Sequence, residues 1–182
     1  AVVNARGLGD ARTVYSGETV FSDTATQPTA LGAKRTEDAR GLSVTAYNRE
    51  KLVTTVASGA GGGSTGVGAT ESAVGIESSS QSTFGRSALI NQSSAGAGAQ
   101  QQVRVKAIDE TLLINTAGGA AGGGTAGVGA AANVGVIVKN TTASIGRDSV
   151  VNAVQTVELE AASSDLSVST TVGLAGGGSV GV

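Results

Sequence analysis

A glycine-rich segment recurs three times in this chain at a nearly constant spacing. It appears as GGGSTGVG at 61–68, as GGGTAGVG at 122–129 and as GGGSVGV at 176–182. The offset between successive copies is therefore 61 for the first pair and 54 for the second. Self-similarity at a fixed period is typical of proteins in which one supersecondary unit stacks on the next, because a single unit cannot bury its apolar side alone. The repeat therefore predicts a stack of related units.

Other positions keep the same two offsets. The segments LSVTA (42–46), VRVKA (103–107) and VELEA (157–161) follow one another at both offsets, and Asn91 and Asn152 are separated by the first of them. The difference between the two offsets falls in the connection that follows Asn91 and Asn152. We interpret that connection as the one point of the unit where insertions are accepted.

These offsets predict one continuous series of four parts. Residues 1–41 form the end of a preceding repeat plus a charged loop insertion, 42–102 and 103–156 are complete repeat units, and 157–182 begin a further repeat that stays incomplete.

Two alignments of the first part with the later repeats stay open. The segment YSGETVFS at 15–22 resembles IGRDSVVN at 145–152, and VVNA at 2–5 matches VVNA at 150–153 equally well.

Apolar residues alternate with polar ones in the segments that keep these offsets, which predicts strands with one buried side. In VRVKA, for example, Val103, Val105 and Ala107 share one side, and Arg104 and Lys106 share the other. No stretch has the periodicity of an amphipathic helix, and aromatic residues make up 2% of the chain. A core built from small and β-branched residues favours strands.

A second predicted strand keeps the column Val53, Ile114 and Val168 apolar. Division of a unit by three gives about 18–20 residues, the size of one coil of a three-sided parallel β-helix. We therefore predict an all-β fold, a parallel β-helix (β-solenoid) in which each unit of about 54–61 residues holds about three coils. A β-sandwich and a trimeric β-roll stalk are the alternatives.

The glycine motif also matches a nucleotide-binding pattern. Gly61, Gly63 and Gly66 satisfy G-x-G-x-x-G. That fingerprint belongs between a strand and a helix of a βαβ unit and occurs once. Here it occurs at every repeat, and no amphipathic helix follows. We predict structural glycines, which either adopt positive φ at corners or allow close backbone approach.

The composition excludes several kinds of chemistry. The chain has no His and no Cys, so it offers no imidazole or thiolate ligand and no His base for a serine nucleophile. Its net charge of −2 gives no basic footprint for nucleic acid. No apolar run approaches the ~18 residues of a transmembrane helix, so no membrane insertion is expected in this segment. We predict no catalytic, cofactor-binding or metal-binding residue, no cofactor and no enzymatic activity.

Three carboxylate pairs bear on this conclusion. Glu158 and Glu160 lie on one outward strand side, a spacing compatible with sugar chemistry. Their counterparts in the preceding repeat are basic, which favours a structural role. The adjacent pairs at 37–38 and 109–110 are predicted to be solvated corners rather than calcium sites.

The order of these segments also resembles a known family. VELEA, DLSVST, AGGGSVGV and VGVIVKNTTASIGRDSVVNA follow one another across the repeat, over roughly residues 42–182. This order resembles the repeats of very large bacterial surface adhesins of the filamentous-haemagglutinin type, including leukotoxin-type filamentous adhesins exported by two-partner or autotransporter-like routes. The resemblance implies a right-handed β-helix rod, a secreted or outer-membrane-associated cell-surface location and a role in adhesion or cell–cell contact. It implies no catalytic residues.

Three functions follow as expectations. The first is a structural stalk segment of a giant secreted or cell-surface bacterial adhesin. The second is a self-assembling extracellular filament or sheath subunit, and the third is a carbohydrate-binding β-helix. The expected partners are other segments of the same long chain, end-to-end copies, and a receptor or glycan on a host or neighbouring cell. Partner contacts are expected at the connections 23–41 and 92–102, because loops on a rigid scaffold often carry binding residues.

Overall fold

The fold consists of β-strands in every part of the chain that the structure describes. A computed structural model describes residues 2–7, 13–14, 19–21, 24–28 and 34–182, with side chains at 2–7 and 39–182. The strands are β1 (Val2–Val3), β2 (Thr13–Val14), β3 (Thr19–Phe21), β4 (Thr24–Pro28), β5 (Lys34–Asp38), β6 (Gly41–Gly62), β7 (Thr65–Phe84), β8 (Leu89–Ile90), β9 (Gln102–Gly123), β10 (Ala126–Ile145), β11 (Val150–Val151), β12 (Thr156–Gly177) and β13 (Val180–Gly181). The predicted all-β class is confirmed.

Three parallel sheets each take one strand from each of three successive repeats. Their strand orders are β12–β9–β6, β13–β10–β7 and β1–β8–β11. Strand β3 adds to the first sheet by pairing antiparallel with β6. Most of each repeat consists of long strands, with 22 residues in β9 and 20 in β10.

The register shows how much chain lies between neighbouring strands. Leu89 pairs with Val150, and Ala126 pairs with Val180. The separations within these two pairs equal the two repeat offsets, so one repeat adds one strand to each parallel sheet. The prediction of about three coils per repeat is therefore wrong, because coils of about 18–20 residues would pair residues at that much shorter separation. Each long strand runs without a break through its polar segments.

The register also decides between the two alignments of the segment 1–41. Val2 pairs in parallel with Leu89, on the opposite edge of β8 from Val150. The VVNA segment at 2–5 is therefore the equivalent, in the layer before β8, of VVNA at 150–153 in the layer after it. Within the predicted loop insertion, β4 and β5 form an antiparallel pair, with Thr24 opposite Asp38.

The chain divides into two compact units. Unit 1 comprises 1–50, 78–110 and 139–164, and unit 2 comprises 51–77, 111–138 and 165–182.

Unit 1 contains the main hydrophobic cluster. Its buried members are Ala5, Leu42, Phe84, Ala88, Ile90, Val103 and Val105. These include the inward side of the alternating LSVTA and VRVKA segments. Burial of one branched aliphatic side chain stabilises a fold by about 1.5–3 kcal/mol, so this cluster supplies the apolar driving force of unit 1.

The asparagines that recur at the repeat spacing form a ladder within unit 1. Asn91 adopts a positive φ of 50° and its Oδ1 accepts the Ala5 N–H at 2.8 Å. The Asn91 Nδ2 donates to the Asn152 carbonyl at 2.9 Å, and the Asn152 Nδ2 donates to the Asn91 carbonyl at 3.2 Å. Asn tolerates the left-handed conformation better than most residues, so it can hold a corner and bond the next layer at once.

Unit 2 has an interior of small residues, and two of its glycines show why. A Cβ at Gly68 would lie 2.3 Å from the Ala120 carbonyl oxygen, and a Cβ at Gly119 would lie 2.1 Å from the Ala130 carbonyl oxygen. The facing backbones thus approach too closely for any side chain. The sequence predicted that the repeated glycines either adopt positive φ or allow close backbone approach, and close approach applies here. Among the described residues, the glycines with positive φ are Gly7, Gly41 and Gly96, which lie outside the repeated glycine motif.

Polar side chains complete the interior of unit 2. Asn115 is buried, and its Oδ1 accepts a hydrogen bond from the Ser72 hydroxyl at 2.8 Å. The Asn133 Nδ2 donates to the Asn115 carbonyl at 2.7 Å, and the Thr70 hydroxyl donates to the Gly118 carbonyl at 2.7 Å. Because buried polar groups need partners, these bonds allow a core with few large apolar residues.

Candidate functional site

The carboxylate pair considered for sugar chemistry is engaged in ion pairs within unit 1. Glu158 lies 2.9 Å from Arg104 and 2.9 Å from Lys106, and Glu160 lies 2.8 Å from Lys106. The Lys106 side chain is 3% exposed. These bonds join β9 to β12, the strands of two successive repeats. The arrangement neutralises both carboxylates and favours the correct register between the repeats.

The acidic pair at 109–110 does not form a solvated corner, and that prediction is wrong. Asp109 is fully buried on the inner side of β9, and its Oδ1 lies 2.9 Å from the Lys139 Nζ. Its Oδ2 accepts a hydrogen bond from the Ser78 hydroxyl. Burial raises the pKa of the Asp109 carboxyl, but the hydrogen bonds from Ser78 and Lys139 and the Lys139 charge outweigh burial and lower that pKa below its ordinary value. The carboxylate is therefore charged and held by its neighbours.

The second member of that pair, Glu110, is also buried. Its Oε2 accepts a hydrogen bond from the Tyr47 hydroxyl at 3.0 Å. Burial, followed by the hydrogen bond and the negative charge of Glu110, raises the pKa of Tyr47 above its ordinary value. Tyr47 is thus a hydrogen-bond donor at neutral pH. The pair at 37–38 belongs to β5, but its side chains lie outside the described residues.

The connection 92–102 is tied to unit 1. Buried Gln101 donates from Nε2 to the Ala5 carbonyl, and its Oε1 accepts the Val154 N–H at 3.2 Å. A small polar cleft of about 140 Å³ lies beside it, and its lining includes Asn4, Arg6 and Ser93. The side chains of 23–38 in the other expected contact segment lie outside the described residues.

The outward side of β6, β9 and β12 in unit 2 is apolar except for Lys51 and one column of threonines (Thr55, Thr116 and Thr170), and we call it the apolar face. Its positions are the odd residues 51–61 of β6 and the even residues 112–122 of β9 and 166–176 of β12. The column Val53, Ile114 and Val168 lies on it, with Val53 56% exposed and Val168 43% exposed. Val172 and Leu174 are also exposed. The sequence indicated an apolar column here but gave no direction for it.

Glycines on the apolar face have open space around them. A Cβ built at Gly59, Gly118 or Gly122 meets no atom within 4 Å, and none of these residues has a positive φ. The fold of this chain therefore does not require glycine at these positions. Gly118 lies in a shallow depression whose lining includes Ala57, Ala120, Val172 and Leu174.

The outward side of β7 and β10 in unit 2 differs from the apolar face in its charge and in how far its side chains project. Val134, Val136 and Val138 project from β10 and are about half exposed. Two carboxylates, Glu71 and Glu77, lie on the exposed positions of β7 beside them. On the apolar face, by contrast, Lys51 at its margin is the charged residue among the described positions.

Within the part of the chain that the structure describes, no group of three or more His, Cys, Asp or Glu residues is placed to hold a metal ion. In that same part, no helix has the length and apolar character needed to span a membrane. Comparisons of the chain with protein-family models, with curated proteins and with solved structures gave no match.

Proposed function

We propose that this chain is a structural segment of a right-handed parallel β-solenoid stalk that belongs to a large bacterial surface or secreted adhesin. The observation that carries the proposal is the register, in which Leu89 pairs with Val150 and Ala126 with Val180 at separations equal to the repeat lengths. Each repeat then serves as one layer. Parallel strand crossovers are right-handed in nearly all proteins, which supports the handedness.

The bonds between layers support a load-carrying role. The Asn91–Asn152 ladder and the Glu158 and Glu160 ion pairs each link one repeat to the next. Of the carboxylates considered for chemistry, Glu158 and Glu160 are used for these links and Asp109 for internal pairing. In this proposal the stalk provides reach, and any receptor or glycan is bound by other parts of the parent chain.

A test uses antibodies raised against the 182-residue segment. On the source cells, we expect immunoblots to show a chain far heavier than 17.5 kDa and immunogold labelling to decorate surface fibres. A cytoplasmic protein of about this mass, with no surface label, would overturn the proposal.

A self-assembling filament subunit is the second candidate, and the strand edges favour it. In the described residues, β12 and β13 each pair on one side only, with β9 and β10. Such an edge accepts a further layer, whether that layer belongs to the same chain or to a second copy. Surface filaments built from chains of about 17.5 kDa would support this candidate over the stalk. Binding of the isolated segment to a glycan array would instead support the third candidate, a carbohydrate-binding β-helix.

A further inference from the structure

We propose that the apolar face is a lateral docking surface on which the same face of a second copy of this chain packs. The inference goes beyond the stalk, because a stalk requires layers stacked through their strand edges and does not require pairing through a sheet face. It holds for either a stalk or a filament.

The first support is the extent of the exposed apolar surface. Val53, Val168, Val172 and Leu174 are 43–62% exposed on the apolar face, and Leu112 and Ile114 on the middle strand β9 are half-buried. Contiguous apolar patches of this kind mark interaction sites in soluble proteins. Lys51 stands at the margin, so two copies can meet here without burying a charge in the centre.

The second support is the area. Three strands spaced by about 4.8 Å, each contributing about 11 residues at about 3.3 Å, give a surface of about 36 Å by 14 Å. Face-to-face pairing of two copies therefore buries about 1,000 Å², which reaches the lower limit for a specific interface. A symmetric pair uses the same patch twice, so one largely apolar surface supplies both sides of the interface.

The third support is the relief of the surface. Gly59, Gly118 and Gly122 keep the half of the face farther from Lys51 low, although this chain leaves room for a side chain at each. Glycine inside a strand destabilises it relative to Ala, and it often marks close approach of another backbone. Within unit 2, Gly68 and Gly119 already show such an approach between facing strands.

The chemistry favours a protein partner over a lipid surface. Helices and patches that bind membranes combine apolar residues with Trp, Phe and a basic border. The apolar face has no aromatic residue at its described positions, and Lys51 is its one cation.

The test is sedimentation velocity of the 182-residue chain over a wide concentration range, with two matched variants. Gly118→Lys places a charge on the apolar face, and Gly75→Lys places the same charge at an equally open glycine on the outward side of β7. Both positions have room for a side chain, so both variants should keep the circular dichroism spectrum and urea midpoint of the parent. Val172→Lys, at a side chain already exposed, provides a second charge on the apolar face.

We expect a reversible equilibrium between the 17.5 kDa chain and a dimer that added salt does not weaken. Gly118→Lys and Val172→Lys should raise the dissociation constant at least tenfold, and Gly75→Lys should change it less than twofold. Four results would overturn the proposal: a monomer at every concentration, equal effects of Gly118→Lys and Gly75→Lys, open-ended assembly that ignores Gly118→Lys, or binding of phosphatidylcholine vesicles by a chain that does not dimerise.

Discussion

Loss of one partner of the buried ion pair between Asp109 and Lys139 should strongly destabilise unit 1. The Asp109 carboxylate is fully buried, the Lys139 side chain is 7% exposed, and the charged atoms are 2.9 Å apart. With an effective dielectric constant of about 20, their attraction is about 6 kcal/mol before desolvation is counted. Removing one partner of such a pair typically destabilises a protein by about 3–5 kcal/mol, because the other charge stays buried. Lys139→Ser should lower the free energy of unfolding by that amount.

The repeat supplies the matched control. The residues one repeat earlier are Asn48, at the position of Asp109, and Ser78, at the position of Lys139. The double variant Asp109→Asn/Lys139→Ser copies this neutral pair into the second layer. We expect it to lose only about 1–2 kcal/mol, because it removes both charges of this pair and leaves neither of them unpaired. Urea unfolding followed by circular dichroism measures all the variants in one double-mutant cycle.

The pH dependence gives an independent check on the same pair. The pKa of Asp109 is lowered in the folded protein, so its contribution to stability is complete above the unfolded carboxyl pKa of about 3.9 and is lost as the pH falls through the folded value. The double variant should lack this part of the acid sensitivity. A cost below about 1 kcal/mol for Lys139→Ser, or a double variant as unstable as the sum of the single ones, would refute the reasoning.

Three further changes test the packing and the links between repeats. Gly119→Ala should lower the free energy of unfolding in urea by about 3 kcal/mol. Gly118→Ala, whose new methyl group meets open space, should leave that free energy unchanged or raise it slightly, and equal losses in the two variants would contradict the close approach. Asn91→Ala should destabilise unit 1 by about 2–3 kcal/mol and Asn91→Gly by about 1 kcal/mol less, because Gly accepts the positive φ; identical losses would show that the conformation is unimportant. Glu158→Lys, placed beside Arg104 and Lys106, should lower stability by roughly 1–2 kcal/mol at low salt and recover in high salt, and thermal unfolding that is insensitive to salt would argue against the ion pairs.

Spacing in the sequence predicted the part of the fold that depends on the repeat. The separation of Asn91 and Asn152 by one repeat is reproduced by their mutual hydrogen bonds. The all-β class followed from the alternation in segments such as VRVKA, because strand side chains alternate between two sides. Both inferences use relations along the chain, which a sequence contains in full.

The number of layers could not be predicted in the same way. Asn48 and Glu50 interrupt the apolar alternation of β6, but the strand continues through them from Gly41 to Gly62. The reason lies across the interior, where Asn48 hydrogen-bonds with Asp109 from the next repeat. A polar residue inside a strand is acceptable when a partner from a distant segment satisfies it, and that partner is visible only in three dimensions.

The direction of the outward columns was hidden for a related reason. Both sides of the strands in unit 2 carry small or apolar residues, so alternation gives no contrast between Val53 outside and Leu52 on the other side of β6. Strand phase is poorly specified when neither side is distinctly polar. The sequence therefore indicated that these strands are rich in apolar residues, but it did not indicate that those residues form one exposed surface.

The small-residue interior of unit 2 has a thermodynamic consequence. Apolar surface exposed on unfolding raises the heat capacity, and polar surface lowers it. In unit 2, backbone packs against backbone at Gly68 and Gly119, and Ser72 is hydrogen-bonded to Asn115. When unit 2 unfolds, a large part of the surface that it exposes is therefore polar. Its heat-capacity increment per residue should therefore lie below the usual value of about 12–15 cal/mol/K, which makes its stability curve broad and its resistance to cold high.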